Sequence, residues 1–161
     1  VITDMPCWWC RAPFESMPLG APIAYSPAPS NPADVERIKA RLCEMNVADV
    51  AELDHFETEG IFCSFPCMKA YVEDEVRKGN IHFNDSLTLI TLLYMKIVGK
   101  GRSSIPSAAS WRVLTEWGGH LSIEQFRAKN PHFSYTDATF VRRPMMFASC
   151  AYIHERADAL T

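Results

Sequence analysis

Six cysteines stand in the 161-residue chain, and four of them fall in two tight pairs, Cys7-Trp8-Trp9-Cys10 and Cys63-Ser64-Phe65-Pro66-Cys67. A turn with two residues between cysteines lets two thiolates reach one tetrahedral ion at about 2.3 Å from each sulfur. The second pair sits where a loop enters a predicted helix, a place that favours thiolate anions. The expectation is one structural zinc ion held by Cys7, Cys10, Cys63 and Cys67. A disulfide framework belongs to an oxidising compartment, yet Val1 to Pro6 show neither the basic start nor the apolar stretch of a secretory leader. Because Val1 is not Met, a segment ahead of it is expected to have been removed. A thioredoxin-like redox pair would follow a strand in a βαβ unit, whereas this CxxC lies at the start of the sequence. Cys43 and Cys150 stand alone, and Cys43 is expected as a small apolar residue in or near the core.

Four thiolates in two tight pairs close a zinc shell, while a catalytic zinc keeps an open water position, so the chain is not expected to be an enzyme or to take a small-molecule substrate. His55 and His82 lack partners at ligand spacing, and His120 and His132 are isolated. Ser103, Ser104 and Ser110 near His120 form no triad by sequence. Charge is distributed unevenly. Residues 1–94 carry 7 basic and 14 acidic side chains, whereas residues 95–143 carry 8 and 3. Those eight, Lys96, Lys100, Arg102, Arg112, Arg127, Lys129, Arg142 and Arg143, form a phosphate-facing or partner-facing patch if the fold gathers them, and an ordinary solvated surface if it does not.

The elements that must position these residues can be read from periodicity and punctuation. At 48% hydrophobic residues and 22% charged, the chain has material for one core, and its longest apolar run, Leu87 to Val98, is too short to span a bilayer. Pro13, Pro18, Gly20 and Pro22 interleaved with Leu19, Ile23 and Tyr25 suggest a short edge hairpin over residues 11–25. Asn31 or Ser30, with Pro32 just after, opens a helix over residues 33–45 with Val35, Ile38, Leu42 and Met45 on one face. Phe56 to Phe62 reads as a strand leading back to the second cysteine pair, and residues 68–78 as a helix stopped by Gly79. The order is knuckle, hairpin, helix, as in a treble clef. Further helices are expected from Leu87 to Ile97, over residues 107–116, and after a Ser122/Gln125 capping box; the last two are helix-turn-helix-like in outline. Residues 133–153 look like one or two strands interrupted at Pro144. The whole reads as α+β: a zinc-binding domain over residues 1–80 with a helical insert at about 26–55, and a mostly helical C-terminal region over residues 81–161 with terminal strands, packed as one unit. Trp8 and Trp9 are expected to pack over the knuckle, the alternative being an exposed aromatic anchor.

The CWWC opening, Gly60, and the run Phe62-Cys63-Ser64-Phe65-Pro66-Cys67 followed by a helix resemble an FCS-type zinc finger. More narrowly, they are similar to the second viral late transcription factor of poxviruses and its relatives in other large nucleocytoplasmic DNA viruses, over about residues 5–78. The resemblance implies a zinc-dependent factor for late viral gene transcription that acts with a viral RNA polymerase, with promoter DNA as a further candidate contact. It also implies a site of action in the host cytoplasm, the virus factory, the nucleus or the virion, and makes Cys7, Cys10, Cys63 and Cys67 the metal ligands. A different class, a zinc-stabilised adaptor between proteins or a virion or host-interference protein, stays open beside it.

Overall fold

The computed structural model of the chain describes residues 3–44, 53–99, 104–128 and 145–148, the last as backbone. Its elements are β1 (Leu19–Ser26), α1 (Pro32–Glu44), β2 (His55–Phe62), α2 (Phe65–Arg77), α3 (Ser86–Val98), α4 (Ile123–Ala128) and β3 (Met145–Ala148), an α+β order with short 3-10 turns between. The three strands form one sheet in the order β1-β2-β3, with β1 antiparallel and β3 parallel to β2.

A proline explains why β1 lies at the sheet edge. Proline has no N–H to donate to a ladder, so Pro22 suits β1 to an edge. The expected local hairpin over residues 11–25 does not form. Residues 19–26 pair instead with β2, from Leu19 opposite Phe62 to Ser26 opposite His55, with register irregularities on either side of Ala21–Pro22. The helical insert therefore lies between the two paired strands. α1 buries only Leu42. Cys43, expected near the core, is exposed, because one residue beyond Leu42 is a turn of about 100° off the buried stripe.

α2 starts three residues earlier than its apolar periodicity suggests. The Ser64 side chain caps it by accepting from the Cys67 N–H at 3.4 Å, and Pro66 sits in its first turn, where a missing N–H does no harm. It ends in a Schellman-type turn, Gly79 N–H to Val76 O and Asn80 N–H to Glu75 O, with Gly79 at φ +83°. α3 packs against β1 and α2, and the buried cluster runs without a break from Cys7 through Phe62, Phe65, Ile90 and Leu93 to Phe126. One core thus serves the described residues on both sides of residue 80. The Asp54 carboxylate, almost wholly buried, pairs with Lys96 on α3 and accepts from the Tyr25 hydroxyl at 2.9 Å, tying that helix to the sheet edge.

The helix expected over residues 107–116 is replaced by two separate 3-10 turns, Trp111–Val113 and Thr115–Trp117, with Leu114 extended between them. Val113 and Thr115 are β-branched and the stretch is too short to sustain a helix alone. The chain instead closes on itself through the Leu114–Leu121 bridge and the His120 and Leu121 N–H groups, both donating to Val113 O. Gly119 lies so close to Val113 that a Cβ there would meet its carbonyl at 2.1 Å. With one of the two helices absent, the helix-turn-helix outline is corrected to a tight loop followed by α4. That helix carries the expected capping box, Ser122 N–H to Gln125 Oε1 at 3.0 Å and Gln125 N–H to Ser122 Oγ at 3.3 Å. Of the expected strands over residues 133–153, β3 is present as backbone and the remainder lies outside the described residues. Among the described residues, no helix is long and apolar enough to cross a membrane.

Candidate metal centre

The first cysteine pair sits on a tight knuckle. Arg11 N–H donates to Cys7 O at 2.8 Å and Cys7 N–H to Ala12 O at 3.2 Å, while Trp8 N–H reaches Ile61 O on β2 at 2.8 Å. The knuckle is thereby fastened to the strand that leads into Cys63. Gly60, at φ +78°, makes that approach feasible, since a Cβ there would meet Phe62 at 2.8 Å and Trp8 at 2.9 Å. Cys63 ends the strand side of the site, and Cys67 lies in the first turn of α2, where the helix N-terminus presents its positive end.

These elements bring Cys7, Cys10, Cys63 and Cys67 together as one buried group with all four sulfurs within 4.8 Å of one another. The fit to a metal can be tested by geometry. Four sulfurs at about 2.3 Å from a zinc ion in a tetrahedron are about 3.8 Å apart. The Cys10–Cys63 and Cys63–Cys67 separations are 3.8 and 3.7 Å. A disulfide would require about 2.05 Å, so these are thiols arranged around a shared centre. Charge points the same way. Four buried sulfurs packed this closely repel one another once they carry charge. All four ionise together only if a cation lies between them.

A further residue takes part that its place in the sequence does not announce. Arg127 on α4 directs Nη2 at Pro13 O (2.8 Å), Ala12 O (3.4 Å) and the Cys10 sulfur (3.7 Å). The guanidinium thus sets a positive charge against the thiolate group while tying α4 to the knuckle. Trp9 makes a second tie: it is buried and its Nε1 donates to Ala109 O at 2.8 Å. Trp8 packs edge-on against Phe62 and Tyr71, with ring centroids 6.3 and 5.8 Å away. Both tryptophans pack around the knuckle as expected.

The basic residues are not gathered as one patch among those described. Lys96 pairs with Asp54 and Arg127 faces the sulfurs, which leaves Arg112 exposed on the surface, its guanidinium 4.4 Å from the centre of the Trp111 ring. Lys100, Arg102, Lys129, Arg142 and Arg143 lie outside the described residues, as do Cys150 and His132. His82 pairs through Nε2 with Glu59 at 2.7 Å, His55 Nδ1 lies 3.5 Å from Leu53 O, and His120 is exposed; none belongs to the sulfur group.

Fold and site together define an α+β chain built around a treble-clef-like four-cysteine metal site. Two uncharacterised viral proteins are similar to it in sequence. Uncharacterized protein 026R of Invertebrate iridescent virus 3 is 26% identical over 155 residues, covering 80% of this chain and 66% of that protein. Uncharacterized protein 350L of Invertebrate iridescent virus 6 is 29% identical over 135 residues, covering 77% of this chain and 64% of that protein. The chain thus spans about two thirds of the length of the relatives it matches. No protein-family model matches the sequence, and no solved structure matches it either.

Proposed function

We propose that this chain is a zinc-stabilised factor of a large DNA virus that supports late viral gene transcription alongside the viral RNA polymerase, in the virus factory or the nucleus of the infected cell. The observation that carries the reading is the closed set of four buried sulfurs at zinc-thiolate spacing, framed by a knuckle, paired strands and a capped helix. It supports the FCS-type resemblance carried by the CWWC and FCSFPC motifs, and the iridescent-virus relatives supply a viral setting. In this reading the ion is structural: four thiolates leave no position for a reacting water, and the protein works by binding. A second reading, a protein adaptor, is favoured by one specific observation. Lys96 and Arg127, two members of the basic set, are engaged inside the molecule and do not present charge to a phosphate. The test is depletion of the protein in cells infected with the virus that encodes it. Late transcripts should fall while early ones persist, and the protein should copurify with polymerase subunits. Unchanged late transcripts would overturn the proposal.

A further inference from the structure

Arg11, Trp111, Arg112 and Trp117 form a cluster beside the metal knuckle. The Arg11 guanidinium lies 3.8 Å from the centre of the Trp111 ring and 5.0 Å from that of Trp117, and Arg112 lies 4.4 Å from Trp111. The two indoles meet edge-on at 5.3 Å, and Trp117 is 46% exposed. Neither guanidinium has a carboxylate within ion-pair distance among the described residues. Arg11 also adopts φ +60°, a backbone conformation that glycine would take without steric penalty, so the chain keeps a cationic side chain at a position where none is easiest.

We propose that this cluster holds single-stranded nucleic acid, with a base stacked on Trp117 and adjoining phosphates on Arg11 and Arg112. A guanidinium stacked on an aromatic ring keeps its in-plane N–H fork free for a phosphate, and an exposed indole face accepts any unpaired base. A duplex keeps its bases stacked internally and offers no such face. An acidic peptide would engage the two guanidinium groups through its carboxylates but leave the indole face without its match. The proposal rests on the transcription reading and gives it a contact surface other than the basic set of residues 95–143. Arg11 comes from the knuckle and the indoles from residues a hundred positions later, joined by the Trp9–Ala109 hydrogen bond, so the surface is built from both segments.

The experiment is a fluorescence-anisotropy titration of the zinc-loaded full chain with labelled dT and rU oligonucleotides of about a dozen nucleotides and with a duplex of the same length, over a range of salt. Two phosphate contacts predict a log–log salt slope of about −1.4 for single strands. Trp117→Ala should weaken binding roughly fivefold or more, Trp117→Phe should regain part of that, and Arg112→Ala should flatten the slope by about 0.7, each with zinc content unchanged. Absence of strand binding at low salt by zinc-loaded protein, Trp117→Ala binding as wild type does, or an acidic peptide captured where no oligonucleotide binds would overturn it. The late-transcript experiment is scored without reference to Trp117. A protein needed for late transcripts whose Trp117→Ala variant binds strands normally fails this proposal alone.

Discussion

Replacing Arg127 with methionine removes the one cation that, among the described residues, faces the thiolate group, while keeping a side chain of similar length on α4. Of its three contacts only that to Pro13 O, at 2.8 Å, is at full hydrogen-bond strength; those to Ala12 O and the Cys10 sulfur are longer, at 3.4 and 3.7 Å. A hydrogen bond from a charged donor contributes about 1.5–3 kcal/mol, and because this side chain is only half-buried the lower part of that range applies, about 2 kcal/mol. That corresponds to roughly 30-fold in metal affinity, within the ~10–100-fold range expected when a group that supports a metal ligand is removed. The assay is competition for zinc against a chromophoric chelator at neutral pH. Arg127→Lys should fall between wild type and Arg127→Met, because lysine keeps the charge but not the planar guanidinium whose Nη2 reaches two carbonyls and a sulfur together. An Arg127→Met variant whose zinc affinity stays within about threefold of wild type would show that the guanidinium only decorates the site.

The remaining predictions concern the ligands and the sheet edge. Cys63→Ser and Cys67→Ser should each lose the ion and unfold the knuckle, while Cys43→Ser, on the exposed side of α1, should keep one zinc per chain; elemental analysis separates these outcomes, and equal loss in all three would refute the assignment. Burial pushes the Asp54 carboxyl up, but the Lys96 ammonium and the Tyr25 hydroxyl outweigh it and hold the group below the usual carboxylate range. Since the folded value is the lower one, the stabilisation is present above the unfolded value of about 3.9 and is lost as pH falls through the folded one. Asp54→Asn should be less stable than wild type by about 2 kcal/mol at neutral pH, and urea unfolding below pH 4 should show the gap closing. A gap that stays constant with pH would dissociate that carboxylate from the ion pair.

What could be read from the sequence was local. Cysteine spacing encodes ligand geometry within a single turn, so both pairs were legible, and the apolar stripes of α1 and α3 follow helical periodicity. Contacts across long separations were not. Arg127 lies 117 residues from Cys10, and Lys96 lies 42 from Asp54; a count of charges records how many are present and nothing of the direction in which they point. The helix expected over residues 107–116 does not form, because Leu114 is extended and its partner, Leu121, lies beyond two glycines. Cys43 shows the reverse error, since an apolar residue one step from a buried stripe is not itself on it.

The sulfurs that meet in the site come from positions 53 apart in the chain, Cys10 and Cys63. On a ribosome adding about 5–20 residues per second, the first cysteine pair emerges roughly 3–10 s before the second. During that interval the nascent chain carries an open dithiol that can hold an ion by two bonds but cannot enclose it. The tie from Arg127 arrives later still, after α3 and the loop at Trp111–Trp117 have left the tunnel. Maturation of the centre therefore follows the direction of synthesis, from half-site to closed shell to charge-compensated shell.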